Sequence, residues 1–65
     1  MKQVTLKMAR AKSGLTQEQM AVELGTNRVT YGKYENYDTP MRVDTAKKFS
    51  DIVKIPMDQI IFFKQ

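Results

Sequence analysis

Residues 16–36 read TQEQMAVELGTNRVTYGKYEN, and two helix starts inside this stretch decide the fold. Thr16-Gln17-Glu18-Gln19 has the form of a capping box, in which the Thr hydroxyl accepts the Gln19 amide while the Gln19 side chain reaches back to the Thr16 N–H. The helix it opens is expected over 17–24, burying Met20, Ala21 and Leu24, with Gly25 just past its end where a left-handed cap is wanted. Thr26-Asn27 is a second start signal, only two residues after the first helix stops. The helix that follows is expected to carry through Glu35 or Asn36, so two short helices face each other across a tight glycine turn.

Upstream, a segment over 4–12 places Leu6, Ala9 and the aliphatic stem of Arg10 on one side, and Ser13-Gly14 ends it. Leu15 then re-enters the core. On the other flank Asp38-Thr39-Pro40 forces a break. A segment over 42–54 spaces Val43, Ala46, Phe49, Ser50 and Val53 along one helical face and turns Lys47, Lys48 and Asp51 outward. Pro56 opens a last short helix over 57–62. Strand signals are absent, which predicts an all-α chain of five helices in one domain, 1–65, with a small core.

The helix over 27–36 is divided into two faces. At about 100° per residue, positions 28, 32, 36, 29 and 33 fall within an arc of about 140°. Tyr31 and Tyr34 lie outside that arc and point to the core. The outward face offers Arg28, Val29, Gly32, Lys33 and Asn36, a set of donors around one branched apolar side chain and one gap. Glycine inside a helix costs about 1 kcal/mol relative to alanine. Gly32 is therefore either a tolerated weak point or a place where the backbone must approach a partner closely.

Composition removes whole classes of function. The chain has neither cysteine nor histidine, so thiolate nucleophiles, imidazole bases and the usual zinc ligands are missing together. Seven scattered carboxylates form no evident acid–base pair, and no enzyme activity, metal, cofactor or small-molecule ligand is expected. The longest apolar run, Ile60-Ile61-Phe62-Phe63, is far short of the roughly 20 residues of a membrane span. No signal-peptide pattern opens the chain at Met1-Lys2-Gln3, and a cytoplasmic protein is expected. Eleven Lys and Arg against seven Asp and Glu give +4, a basic excess suited to a polyanion and equally ordinary for solubility.

With these residues in place, the chain from Leu6 to about Ile60 resembles the Cro/CI (XRE) helix-turn-helix regulators of phages and bacteria. The resemblance rests on Arg10, Gly14-Leu15, Thr16-Gln17, Ala21, Gly25, Tyr31, Tyr34-Glu35-Asn36, Pro40 and Ile55 at fixed spacing. It implies a compact five-helix, lambda-repressor-like domain whose third helix lies in the major groove of double-stranded DNA. It further implies that Arg10 and Glu35 pair between the first and third helices, and that Ala21 and Gly25 are small where helix and turn approach closely. Carried over by position, Thr16 and Gln17 hold phosphate, Asn27 and Arg28 enter the groove, and Arg28 forks onto guanine while Val29 meets a thymine methyl. Lys33 is assigned to a base or to phosphate, and Asn36 to the DNA backbone. For Gln17 a helix-end role stands beside the phosphate role, and for Arg42 plain exposure stands beside a phosphate contact.

Two departures from the family pattern matter. Most members have glycine where this chain has Tyr37, so Asn36 is expected to take the left-handed conformation, and the Tyr37 phenol either meets a phosphate or stays exposed. Pro56 replaces the polar cap common before the last helix. The IIFF run has two readings: it seals the base of the monomer, or Ile52, Met57, Ile61, Phe62 and Phe63 form a homodimer interface. The resemblance favours the dimer. The function it implies is a sequence-specific repressor of the Cro type that binds a palindromic operator as a homodimer. The alternative is an antitoxin or interaction module that also binds its own promoter.

Overall fold

The computed structural model describes residues 3–63; Met1, Lys2, Lys64 and Gln65, which the expected domain 1–65 includes, lie outside the described residues. Four α-helices are built, and the first three start at local side-chain caps. Helix α1, Leu6–Ser13, starts at Thr5, whose hydroxyl accepts the Met8 N–H at 3.1 Å, and stops at Gly14. Helix α2, Gln17–Glu23, begins in the complete capping box expected of Thr16 and Gln19, with bonds of 2.9 and 3.1 Å. Helix α3, Arg28–Glu35, is opened by the Asn27 side chain, which accepts the Thr30 N–H at 2.8 Å. Helix α4 runs Val43–Val53.

Between α2 and α3 the chain turns on Gly25 at φ 74°, and the Gly25 and Thr26 N–H groups donate to the Val22 and Ala21 carbonyls at 3.1 and 2.9 Å. A Cβ built on Gly25 would have nothing within 4 Å. The glycine is there for its left-handed backbone, not for the close approach expected of it. Ala21, fully buried in the core, does sit where packing is tight.

The fifth helix is not formed. After α4 the chain makes only a 3-10 turn at Met57–Gln59 and then extends as a strand, Ile60–Ile61. That strand, β2, pairs in parallel with β1, Val4–Thr5, in the register Val4 to Ile60 and Thr5 to Ile61. Three of these four residues are β-branched aliphatics and the fourth is Thr, which suits an extended ladder better than a helix. The expected helix over 57–62 and the expected helical start at Val4 are thus both corrected, as is the absence of strands. The Gln3 side-chain amide extends the join, donating to the Asp58 carbonyl at 3.1 Å.

The core gathers Leu6 and Ala9 of α1, Met20 and Ala21 of α2, Leu24, Tyr31 of α3, Met41, Ala46 and Phe49 of α4, and Ile60 of β2. Leu15, Tyr34, Ile55 and Val53 pack against it. Val43 departs from its expected core position and is 80% exposed. Met41, two residues earlier and buried, supplies the apolar side chain at this end of α4, so Val43 and Asp44 are left in solvent.

Candidate nucleic-acid interface

Helix α3 is held by one face. Tyr31 is completely buried and meets Tyr34 edge-on, with ring centroids 6.4 Å apart and planes at 80°. One turn on, Glu35 is buried with its side chain 3% exposed, and it is the junction of three helices. Arg10 Nε of α1 donates to Glu35 Oε2, while Gln17 Nε2 of α2 donates to Glu35 Oε1 at 2.9 Å. The same guanidinium donates from Nη1 to the Leu15 carbonyl at 2.9 Å, so Arg10 also fixes the link between α1 and α2.

The electrostatics follow from that arrangement. Burial pushes the Glu35 carboxyl upward, but the hydrogen bonds from Arg10 and Gln17, with the adjacent positive charge, more than offset it and hold the group below its ordinary range. The hydrogen bond to Glu35 strengthens the protonation of Arg10 against its partial burial. Burial drives the Tyr31 phenol well above its ordinary value, and the Glu35 charge adds to that. The Tyr31 hydroxyl lies beside this pair without a hydrogen bond of acceptable geometry; proximity to the charges, not a formed bond, is what it contributes.

The opposite face of α3 is open. Arg28, Lys33 and Asn36 are exposed, Val29 is 67% exposed, and neither Arg28 nor Lys33 takes part in an ion pair among the described residues. Gly32 lies between them, and a Cβ placed on it would meet nothing within 4 Å. Asn27 is exposed at the start of the helix, its side chain occupied with the cap. The five outward residues therefore share one uncovered face, as the helical wheel requires.

Gln17 is brought to the last turn of α3 by its bond to Glu35. Thr16 is exposed and its hydroxyl accepts the Gln19 N–H, while Gln17 is half-buried. Nothing local in the sequence announces this contact, since 18 residues separate Gln17 from Glu35. Arg42 precedes α4, exposed, 3.8 Å from Asp44.

The end of α3 differs from expectation. Asn36 remains right-handed at φ −82°, and Tyr37 takes the left-handed conformation at φ 60°. The Tyr37 and Asp38 N–H groups donate to the Tyr34 and Lys33 carbonyls at 3.0 and 2.9 Å, which closes the helix as a glycine would. The Tyr37 phenol is neither exposed nor turned outward toward a phosphate. It donates to the Ile61 carbonyl at 2.6 Å and accepts the Leu6 N–H at 3.3 Å, inside the protein.

The residues expected at a dimer interface separate into two groups. Ile52, Ile61 and Phe62 are half-buried; Ile52 and Phe62 pack on the core, and Phe62 meets Phe49 edge-on at 6.3 Å. Met57 and Phe63 are exposed, Phe63 to 63%. Phe63 lines a shallow groove with Tyr37, Pro40 and Phe62.

Among the described residues no group of three acidic, His or Cys side chains is gathered as a metal site, and no helix is long and apolar enough to cross a membrane. A family model described as helix-turn-helix matches residues 6–60. The chain belongs to the helix-turn-helix family. It is of the Cro/CI (XRE) type, a family of DNA-binding transcription regulators that is typically non-enzymatic. No curated protein and no solved structure matches it. In helix-turn-helix terms α2 and α3 are the paired helices, Gly25 is the turn, and α3 is the element that the family directs at double-stranded DNA.

Proposed function

We propose that the protein is a repressor that recognises a palindromic operator as a homodimer, with residues 27–36 in the major groove. The observation that carries this reading is the two-sidedness of α3. Tyr31 and Glu35 lock one face to the core, while Arg28, Val29, Lys33 and Asn36 stand uncovered on the other. An apolar residue left in solvent between two unpaired cations suits a groove that presents guanine acceptors beside thymine methyls. Arg28 reads guanine, Val29 reads a thymine methyl, and Lys33 takes a base edge or a phosphate. Thr16, Gln17, Asn36 and Arg42 position the backbone, and Asn27 sets the start of the reading helix.

The second copy joins through Phe63 and Met57, the exposed members of the apolar set, with Ile52 and Phe62 backing them from the core and half-buried Ile61 completing the set. Selection of bound fragments from random duplex DNA tests the whole reading. Enrichment of a dyad-symmetric sequence with half-sites about 10 base pairs apart is the expected result. Enrichment of nothing, or of an asymmetric single site, rejects specificity or dimerisation respectively.

A further inference from the structure

Tyr37 carries two features that do not belong together by default. Its backbone is left-handed at φ 60°, a conformation that β-carbon sterics disfavour for any residue with a side chain. Its side chain spans the far end of the terminal sheet, where the hydroxyl sits between the Leu6 N–H at 3.3 Å and the Ile61 carbonyl at 2.6 Å. Leu6 follows β1 and Ile61 ends β2, so the phenol takes up two backbone groups just where the short ladder stops. The same residue closes α3, since its own N–H and that of Asp38 satisfy the Tyr34 and Lys33 carbonyls.

We infer that Tyr37 is a positioning residue that ties the end of the reading helix to the sheet formed by the two ends of the described chain. Glycine would close the helix with less strain and no tether; tyrosine accepts the strain and gains the tether. The helix end and the sheet then move as one body, and Lys33 and Asn36 are presented at a fixed angle relative to β2 and the phenylalanines that follow it. The consequence for DNA rests on the reading of α3 as the recognition helix.

Two variants separate the tether from the cap. Tyr37→Phe keeps the ring and deletes the hydroxyl; Tyr37→Gly keeps the left-handed cap without strain and deletes the side chain. Amide exchange, measured well below the melting temperature, is expected to speed at Leu6 in both variants. In Tyr37→Phe it also speeds at Tyr37 and Asp38, because the strained residue has lost what held it. Preference for the selected operator over random DNA is expected to fall by about tenfold in both variants, the size of a typical coupling between sites. Unchanged operator preference in Tyr37→Gly, or unchanged exchange at Tyr37 and Asp38 in Tyr37→Phe, overturns the tether. If the unaltered protein prefers no operator, the recognition reading and the DNA consequence are overturned, and the exchange measurements judge the tether by themselves.

Discussion

Arg10 and Glu35 join α1 to α3 across 25 residues of sequence, and the carboxylate they share also receives Gln17 of α2. The ion pair is nearly dry, its side chains 15% and 3% exposed, so each charge depends on the other for its solvation. Glu35→Ala leaves the guanidinium beside an empty space and Arg10→Ala leaves a lone buried carboxylate. Either change is expected to destabilise by about 3–5 kcal/mol. That is comparable to the whole stability of a domain this small, at about 0.05–0.15 kcal/mol per residue. Urea unfolding measures it; a loss under about 1 kcal/mol, which is typical of solvent-exposed pairs, would mean the pair behaves as a surface one.

The same group sets a pH dependence. Folded Glu35 loses its proton more readily than the ordinary carboxyl at 4.5, so just below that pH the unfolded chain holds more protons than the folded one. Stability contributed by this group is complete above 4.5 and is lost as pH falls through the lower folded value. Comparing the acid limb of stability for the protein and for Glu35→Gln isolates it. The variant is expected to show a flatter limb, and parallel limbs would assign the acid sensitivity elsewhere.

Arg28→Ala is expected to weaken operator binding by about 1–3 kcal/mol while leaving affinity for random DNA close to unchanged, because a base contact discriminates and a phosphate contact does not. Gln17→Ala is expected to lower binding to both DNAs alike. It also removes one of the hydrogen bonds to Glu35, so its stability must be measured beside its affinity. Equal losses on both DNAs for Arg28→Ala would place that side chain on the backbone.

Gly32→Ala meets no obstacle within the protein, so it is expected to raise stability by up to about 1 kcal/mol, equivalent to a rise of about 4–8 °C in Tm. Operator affinity is expected to fall at the same time, since the added methyl stands between Arg28 and Lys33 on the face presented to the groove. A more stable variant that binds as well as before would show Gly32 to be a tolerated weak point only.

Phe62 and Phe63 require different experiments. Phe62→Ser strips a ring from Phe49 and damages the monomer itself, so its effect on assembly is confounded. Phe63→Ser alters an exposed ring and leaves the core intact. Sedimentation is expected to show a monomer with weakened operator binding, and an unaltered profile would remove Phe63 from the interface.

The helices were legible because their signals are local. Thr16 with Gln19, Asn27 with Thr30, and Gly25 at the turn act within a few residues of themselves, and the observed ends fall within about two residues of the expected ones. The outward face of α3 followed from helical period alone. The pairing of Arg10 with Glu35 was legible through the resemblance, not through spacing. The sheet was not legible, because two strands of two residues have no alternation to read and each is stabilised by the other from the opposite end of the described chain. The place of Tyr37 was not legible for a related reason: the partners of its hydroxyl, Leu6 and Ile61, lie 31 and 24 residues away in sequence. Val43 kept the helical spacing of a core residue and lost the position to Met41, which precedes the helix.

The pairing of β1 with β2 also has a temporal side. A ribosome delivers Val4 and Thr5 first and Ile60 and Ile61 only after all four helices have been made. The capped helices need nothing beyond their own neighbourhood to begin forming, whereas β1 must wait, unpaired, for a strand that does not yet exist. Closing that longest loop therefore comes after the helices in the order of synthesis, and the arrival of Ile61 completes both the ladder and the seat of the Tyr37 hydroxyl in one step.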